Sequence, residues 1–198
     1  MTTRAARATV AVSGVVLLLG LASPAHAATS VTVTDKPHDA RHGGAYAGAS
    51  PSERKLAELL GFTVSRASAE GGFIVVIRWG DVQQKAPRRY DQSFEFHGYA
   101  GHFDLTVDGY RNQRRAQFSV GPASGCTVPV TWDPRRNTSS FTVRQGCLNG
   151  NWRKMYALDV SVDAQRPRTY RTIGYDYADA PGGASVGLGP RNDPGATT

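Results

Sequence analysis

Two histidines and two carboxylates fall within one short stretch, Glu95-Phe96-His97-Gly98-Tyr99-Ala100-Gly101-His102-Phe103-Asp104. By residue type it is the part of this chain best suited to do chemistry. Folded as a hairpin about Tyr99-Ala100, it sets His97 opposite His102 and Glu95 opposite Asp104. All four then share one side, while Phe94, Phe96, Phe103 and Leu105 share the other. Two imidazoles and two carboxylates converging on one face are a donor set for Zn²⁺ or another divalent metal. The solvent face of any half-buried hairpin shows the same alternation, and the spacing matches no established metal signature.

Other chemistry is sparse. Gly183-Ala184-Ser185-Val186-Gly187 has the form G-x-S-x-G, but a nucleophile elbow needs a strand–turn–helix context and a histidine downstream. Here the motif lies in a Gly/Pro-rich tail, and the last histidine is His102. No catalytic residue is assigned. Asn137-Thr138-Ser139 fits the glycosylation acceptor pattern and marks an exposed turn. Arg111, Arg114, Arg115, Arg135, Arg136, Arg153, Lys154, Arg166, Arg168 and Arg171 recur in loops and on polar faces, a footprint for an anionic polymer or simply solvated charge. Sugar-binding β-proteins stack rings on exposed aromatics, and Trp152, Tyr99 and Tyr110 lie in turns or out of phase with the core.

These residues must be positioned by strands. The chain opens with Arg4 and Arg7, an apolar run from Val10 to Ala22 and the small-x-small site Ala25-His26-Ala27, so residues 1–27 read as a secretory signal. That predicts a secreted, extracellular protein with no membrane span in its mature chain. Residues 28–49 are small and polar and read as a flexible leader. Ser50-Pro51-Ser52-Glu53 has the form of a capping box with proline at the first helical position. It opens a short helix through Lys55–Leu60 that Gly61 stops, although the same apolar run is able to start a strand.

From Phe62 the period becomes two. Phe62/Val64, Phe73 to Trp79, Phe94/Phe96, Phe103/Leu105/Val107, Ala116/Phe118/Val120, Val128/Val130/Trp132, Phe141/Val143, Tyr156 to Val162 and a weaker run at Thr169 to Tyr177 predict eight or nine strands. With no interleaved helices, the expected fold is all-β, an antiparallel β-sandwich over residues 50–179, followed by a flexible tail over 180–198. Phe73 to Trp79 is so apolar that it reads as buried on both faces. With a turn at Asp133–Thr138, Trp132 is expected opposite Phe141, and Cys126 opposite Cys147. In an exported chain two such cysteines form one structural disulfide.

The pattern Gly125-Cys126, Val130-Thr131-Trp132-Asp133, Arg136, Phe141-Thr142-Val143, Cys147-Leu148 and Trp152 resembles small secreted proteins of high-GC Gram-positive bacteria. The resemblance covers roughly residues 60–163 and implies a single β-sandwich with one disulfide. It carries no activity across, and Asn149 stands where those proteins have glycine.

The chain has 23 Lys and Arg against 16 Asp and Glu, a net charge of +7 with no dense basic stripe, so no nucleic-acid partner is expected. The expected role is an exported, non-catalytic binding or structural module at or outside the cell envelope, with carbohydrate or an anionic wall polymer as partner and no cofactor. The alternative of another class is a small enzyme using a divalent metal at Glu95, His97, His102 and Asp104.

Overall fold

Alternating apolar and polar residues bury one side of each strand, and that single rule builds nearly all of this molecule. The structure, a computed structural model, describes residues 29–40, 49–67, 71–83, 90–100, 103–111, 113–120, 123–148, 154–166 and 171–188. The signal-type segment 1–27 lies outside them. The strands are β1 (Ser30–Thr34), β2 (Leu59–Arg66), β3 (Gly72–Trp79), β4 (Asp91–Ala100), β5 (Phe103–Tyr110), β6 (Arg115–Val120), β7 (Ala123–Asp133), β8 (Thr138–Arg144), β9 (Lys154–Arg166), β10 (Arg171–Asp179) and β11 (Ser185–Gly187), with one helix, α1 (Pro51–Lys55). The fold is all-β, and every strand pair is antiparallel.

One sheet runs β1-β2-β3-β8-β7-β6-β5-β4-β9-β10, and β11 pairs with β9 beyond β10. β7 bends it: Ala123–Pro129 pairs with β6, and Val130–Asp133 pairs with β8. The two halves thus face each other across one core, and the sandwich takes the form of a nearly closed barrel. Its ends meet at a seam. There Asp176 Oδ2 of β10 accepts from the Leu59 amide of β2 at 2.9 Å, and the Leu188 carbonyl accepts from the Gly72 amide at 3.2 Å.

The core is aromatic. Phe94 stacks on Phe141 with ring centroids 5.5 Å apart, Phe73 meets Phe96 at 5.8 Å, and Trp79 packs on Trp132 at 5.4 Å. Such pairs contribute beyond the area they bury. Trp79 Nε1, fully inside, donates to Ser139 Oγ at 2.9 Å.

Several sequence expectations need correction. The leader and the tail each contribute a strand, β1 and β11, because Val33, Val186 and Leu188 are apolar enough to bury. The helix ends at Lys55, and Leu59 already belongs to β2. Its capping box is formed: Glu53 N donates to Ser50 Oγ, and Ser50 N donates to Glu53 Oε2. β3 buries Phe73, Val75, Ile77 and Trp79, but Ile74 and Val76 are only half-buried and Arg78 is exposed, so its second face is open. The β7–β8 hairpin pairs Asp133 with Thr138, Trp132 with Ser139 and Val130 with Phe141, so Trp132 lies two residues from its expected partner Phe141. The slip is even, so every side chain keeps its face. The Cys126–Cys147 disulfide is present, with Cα atoms 5.7 Å apart, the second cysteine lying in a 3-10 turn over Gln145–Cys147.

Candidate functional site

The β4–β5 hairpin does not fold about Tyr99-Ala100, because Ala100 pairs with Phe103. Glu95 therefore faces Asp108, His97 faces Thr106, and Asp104 faces Tyr99. This slip is also even, so Glu95, His97 and Asp104 do share the outward face. They are not a converging set: Asp104 pairs with Tyr99, four residues along β4 from Glu95, and His102 lies outside the described residues. His97 Nε2 instead hydrogen-bonds Glu95 Oε1 on its own strand at 2.5 Å.

On its other edge β4 pairs with β9, which pairs with β10 and β11. Four outward rows cross these strands. The first reads Tyr110, Ser93, Asp163, Tyr175, and the second Asp108, Glu95, Ser161, Tyr177. The third reads Thr106, His97, Asp159, Asp179, and the fourth Asp104, Tyr99, Tyr156, Ser185. The first three rows and the Asp104–Tyr99 pair hold six of the chain's 16 acidic residues and no lysine or arginine. Arg115 and Lys154 stand at the rims.

The same face gathers the exposed rings. Tyr99, Tyr110, Tyr175 and Tyr177 are each 40% or more exposed, and all four point outward here. Only Phe103, at the hairpin tip, matches them among the described large apolar residues. Tyr99 stacks on Tyr156 at 6.0 Å. Small Ser93 and Ser161 leave a groove of about 260 Å³, walled by Tyr110 and Tyr175 and flanked by Glu95, Asp108 and Asp163.

The carboxylates are strained electrostatically. Burial raises the Asp108 pKa and Glu95 raises it further, with His97 opposing. Burial raises Asp159, and Asp179 and Glu95 add to it against His97. Burial also raises Asp163, whose Oδ2 accepts from Gln165 Nε2 at 2.9 Å while its Oδ1 is sealed without a donor. The Tyr99 hydroxyl is pushed up first by its hydrogen bond to Asp104. These groups crowd negative charge on a partly dried surface, where it is poorly screened.

Of the ring residues singled out by sequence, Tyr99 and Tyr110 lie on this face at opposite ends of the hairpin, and Trp152 lies outside the described residues. Sequence reasoning missed Tyr156, Asp108, Asp159, Asp163 and Asp179. The out-of-phase positions of Tyr175 and Tyr177 were the available signal.

The basic residues are dispersed. Arg166 pairs with Glu53 at 2.6 Å, Arg136 with Asp133 at 3.7 Å, and the Arg111 guanidinium lies 5.6 Å from the Trp132 ring centre. Asn137 uses its side-chain oxygen internally, accepting from the Val82 amide at 3.1 Å. Ser185 opens the short strand β11.

Only Asp35, Asp39 and Asp176 form a metal-sized cluster among the described residues, their oxygens within 4.8 Å of one another at the seam. Hard cations take such oxygen donors. No described helix is long and apolar enough to cross a membrane. No protein-family model matches the chain, and no curated protein matches it.

Proposed function

We propose that this protein is an exported, non-catalytic binding module that holds carbohydrate on the outward face of β5, β4, β9 and β10. The observation that carries the reading is the gathering of four exposed tyrosines and six carboxylates on one face, with Tyr110, Tyr175, Glu95, Asp108 and Asp163 lining its groove. Tyrosine rings offer flat apolar surface to sugar faces, and carboxylates accept hydrogen bonds from sugar hydroxyls. Anionic wall polymer meets repulsion on this face, so of the two partner classes the carbohydrate fits it better. Export is supported by the signal-type segment 1–27, by the Cys126–Cys147 disulfide and by the resemblance to small secreted proteins.

Retention on a panel of insoluble glucans, purified peptidoglycan and chitin at low salt tests the reading. Wild type is expected to bind at least one of them. The Tyr110→Ala/Tyr175→Ala double variant should lose about tenfold in affinity with an unchanged melting temperature, since both rings are exposed. Absence of retention on every glycan, or full retention by the double variant, refutes it.

A further inference from the structure

Charge divides this molecule unevenly. The chain is net positive by seven, yet the first three outward rows and the Asp104–Tyr99 pair carry six carboxylates and one histidine with no lysine or arginine. A neutral sugar needs one or two acceptors at a stacking site. It does not need a crowd of like charges on a partly buried surface. A ligand that brings positive charge relieves that repulsion.

We propose, resting on the carbohydrate reading above, that the ligand of this face is a cationic glycan, a polysaccharide bearing free amino groups on its sugar rings. The geometry suits a chain of linked sugars. Tyr110 and Tyr175 stand three strand spacings apart, about 14 Å, too far for both to stack on one ring. Ser93 between them, and Ser161 in the adjoining row, keep the floor low enough for a second ring to lie across it. An ammonium in that interval meets Asp163 on one side and Glu95 with Asp108 on the other. Each carboxylate accepts a charge-assisted hydrogen bond, and the ammonium has three N–H groups to give. A tyrosine face beside it adds cation–π attraction. Acetylation of the amine removes the charge and adds bulk, so the free-amine sugar is selected over its acetylated form.

Binding of a soluble series of β-linked glucosamine oligosaccharides, from fully N-acetylated to fully deacetylated, decides the matter. Calorimetry at about pH 6 and low salt keeps the amines charged. The expected result is affinity rising about tenfold or more across the series, with a steep loss in salt. The Glu95→Gln/Asp108→Asn/Asp163→Asn variant should bind the deacetylated oligosaccharide no better than the acetylated one, with its residual binding still dependent on Tyr110 and Tyr175. Equal affinity for acetylated and deacetylated chains, with the tyrosine dependence intact, overturns the cationic selection and leaves the carbohydrate reading standing. Undiminished binding of the deacetylated chain by the triple variant also overturns it. Polylysine binding as tightly as the deacetylated oligosaccharide shows a face that takes any polycation, and overturns it too. No binding to any oligosaccharide, together with no retention on any insoluble glycan, brings down both.

Discussion

Replacing Asp176 by asparagine should stabilise this protein at neutral pH and do little at acid pH. Asp176 is 4% exposed at the seam where β10 meets β2. Its Oδ2 accepts from the Leu59 amide and its Oδ1 from the Tyr177 amide, both at 2.9 Å. Those bonds favour the carboxylate, but burial and the nearby Asp35 and Asp39 outweigh them and push its pKa from 3.8 up to about 6. The folded protein therefore holds a proton that the unfolded chain releases between about pH 4 and pH 6. Stability contributed at this site is full below pH 4, falls as pH rises through that window, and stays low above pH 6. The difference is at most about 3 kcal/mol. Asparagine keeps an acceptor for Leu59 and removes the charge, but its amide nitrogen takes the place of Oδ1 and gives up the hydrogen bond from the Tyr177 amide. An amide oxygen is a weaker acceptor than a carboxylate, so the gain should fall below that limit, at about 1–2 kcal/mol. For a domain of this size that raises Tm by roughly 3–8 °C at pH 7.5. Differential scanning calorimetry of both proteins from pH 3.5 to 8, with chelator present against stray cations, gives the comparison. A variant less stable than wild type at pH 7.5, or a difference constant with pH, refutes the reasoning.

Reduction of Cys126–Cys147, or its replacement by two serines, should cost about 3 kcal/mol, because it opens a loop of about 20 residues; urea titration measures it. Gly109→Ala should destabilise by about 1–3 kcal/mol, since the added methyl lands on the Phe94 ring opposite; the same titration reads it, and an unchanged midpoint would contradict the pairing. Truncation after Gly183 removes β11 with its buried Val186 and Leu188 and uncovers Met155, so about 3–5 kcal/mol should be lost by thermal unfolding. Retention on the preferred glycan should weaken on acidification, and at a higher pH than ordinary carboxylates would require, because Asp108, Asp159 and Asp163 are all raised; binding unchanged down to pH 4 would remove them from the site.

The period of two was a sufficient guide to most strands and to which side of each is wet. Phe94 and Phe96 are inside and Glu95 and His97 outside, whatever the register, because a slip of two residues leaves the pleat unchanged. Register itself depends on the turn. Both hairpins that were read closely pair differently from expectation: Ala100 meets Phe103 in one, and in the other Asp133 meets Thr138 around a turn with Asn137 at φ 52°. β1 and β11 escaped notice for another reason. Val31/Val33 and Val186/Leu188 are runs of two apolar residues in polar or glycine-rich surroundings, too short to carry a period. They become strands only because the ends of a curled sheet leave open edges beside β2 and β9.

The face itself was legible residue by residue but not as a face. Tyr99 and Tyr110 stood out as rings in turns or out of phase, while Tyr175 and Tyr177, more than sixty positions later, join them only in the folded sheet. Nothing in the period of either segment says that β9, which follows β8 in the chain, inserts beside β4. That lateral order is decided by which apolar sides fit across the core, where Phe94 stacks on Phe141 and Phe73 meets Phe96. Packing inside thus determines what assembles outside. Once Val160 and Val162 are buried beside Phe96 and Phe94, Asp159, Ser161 and Asp163 must lie beside His97, Glu95 and Ser93. A charge that looks like ordinary strand solvation in each segment becomes a concentrated acidic groove only through that pairing. The groove walls are then tyrosines contributed by the two outer strands of the four.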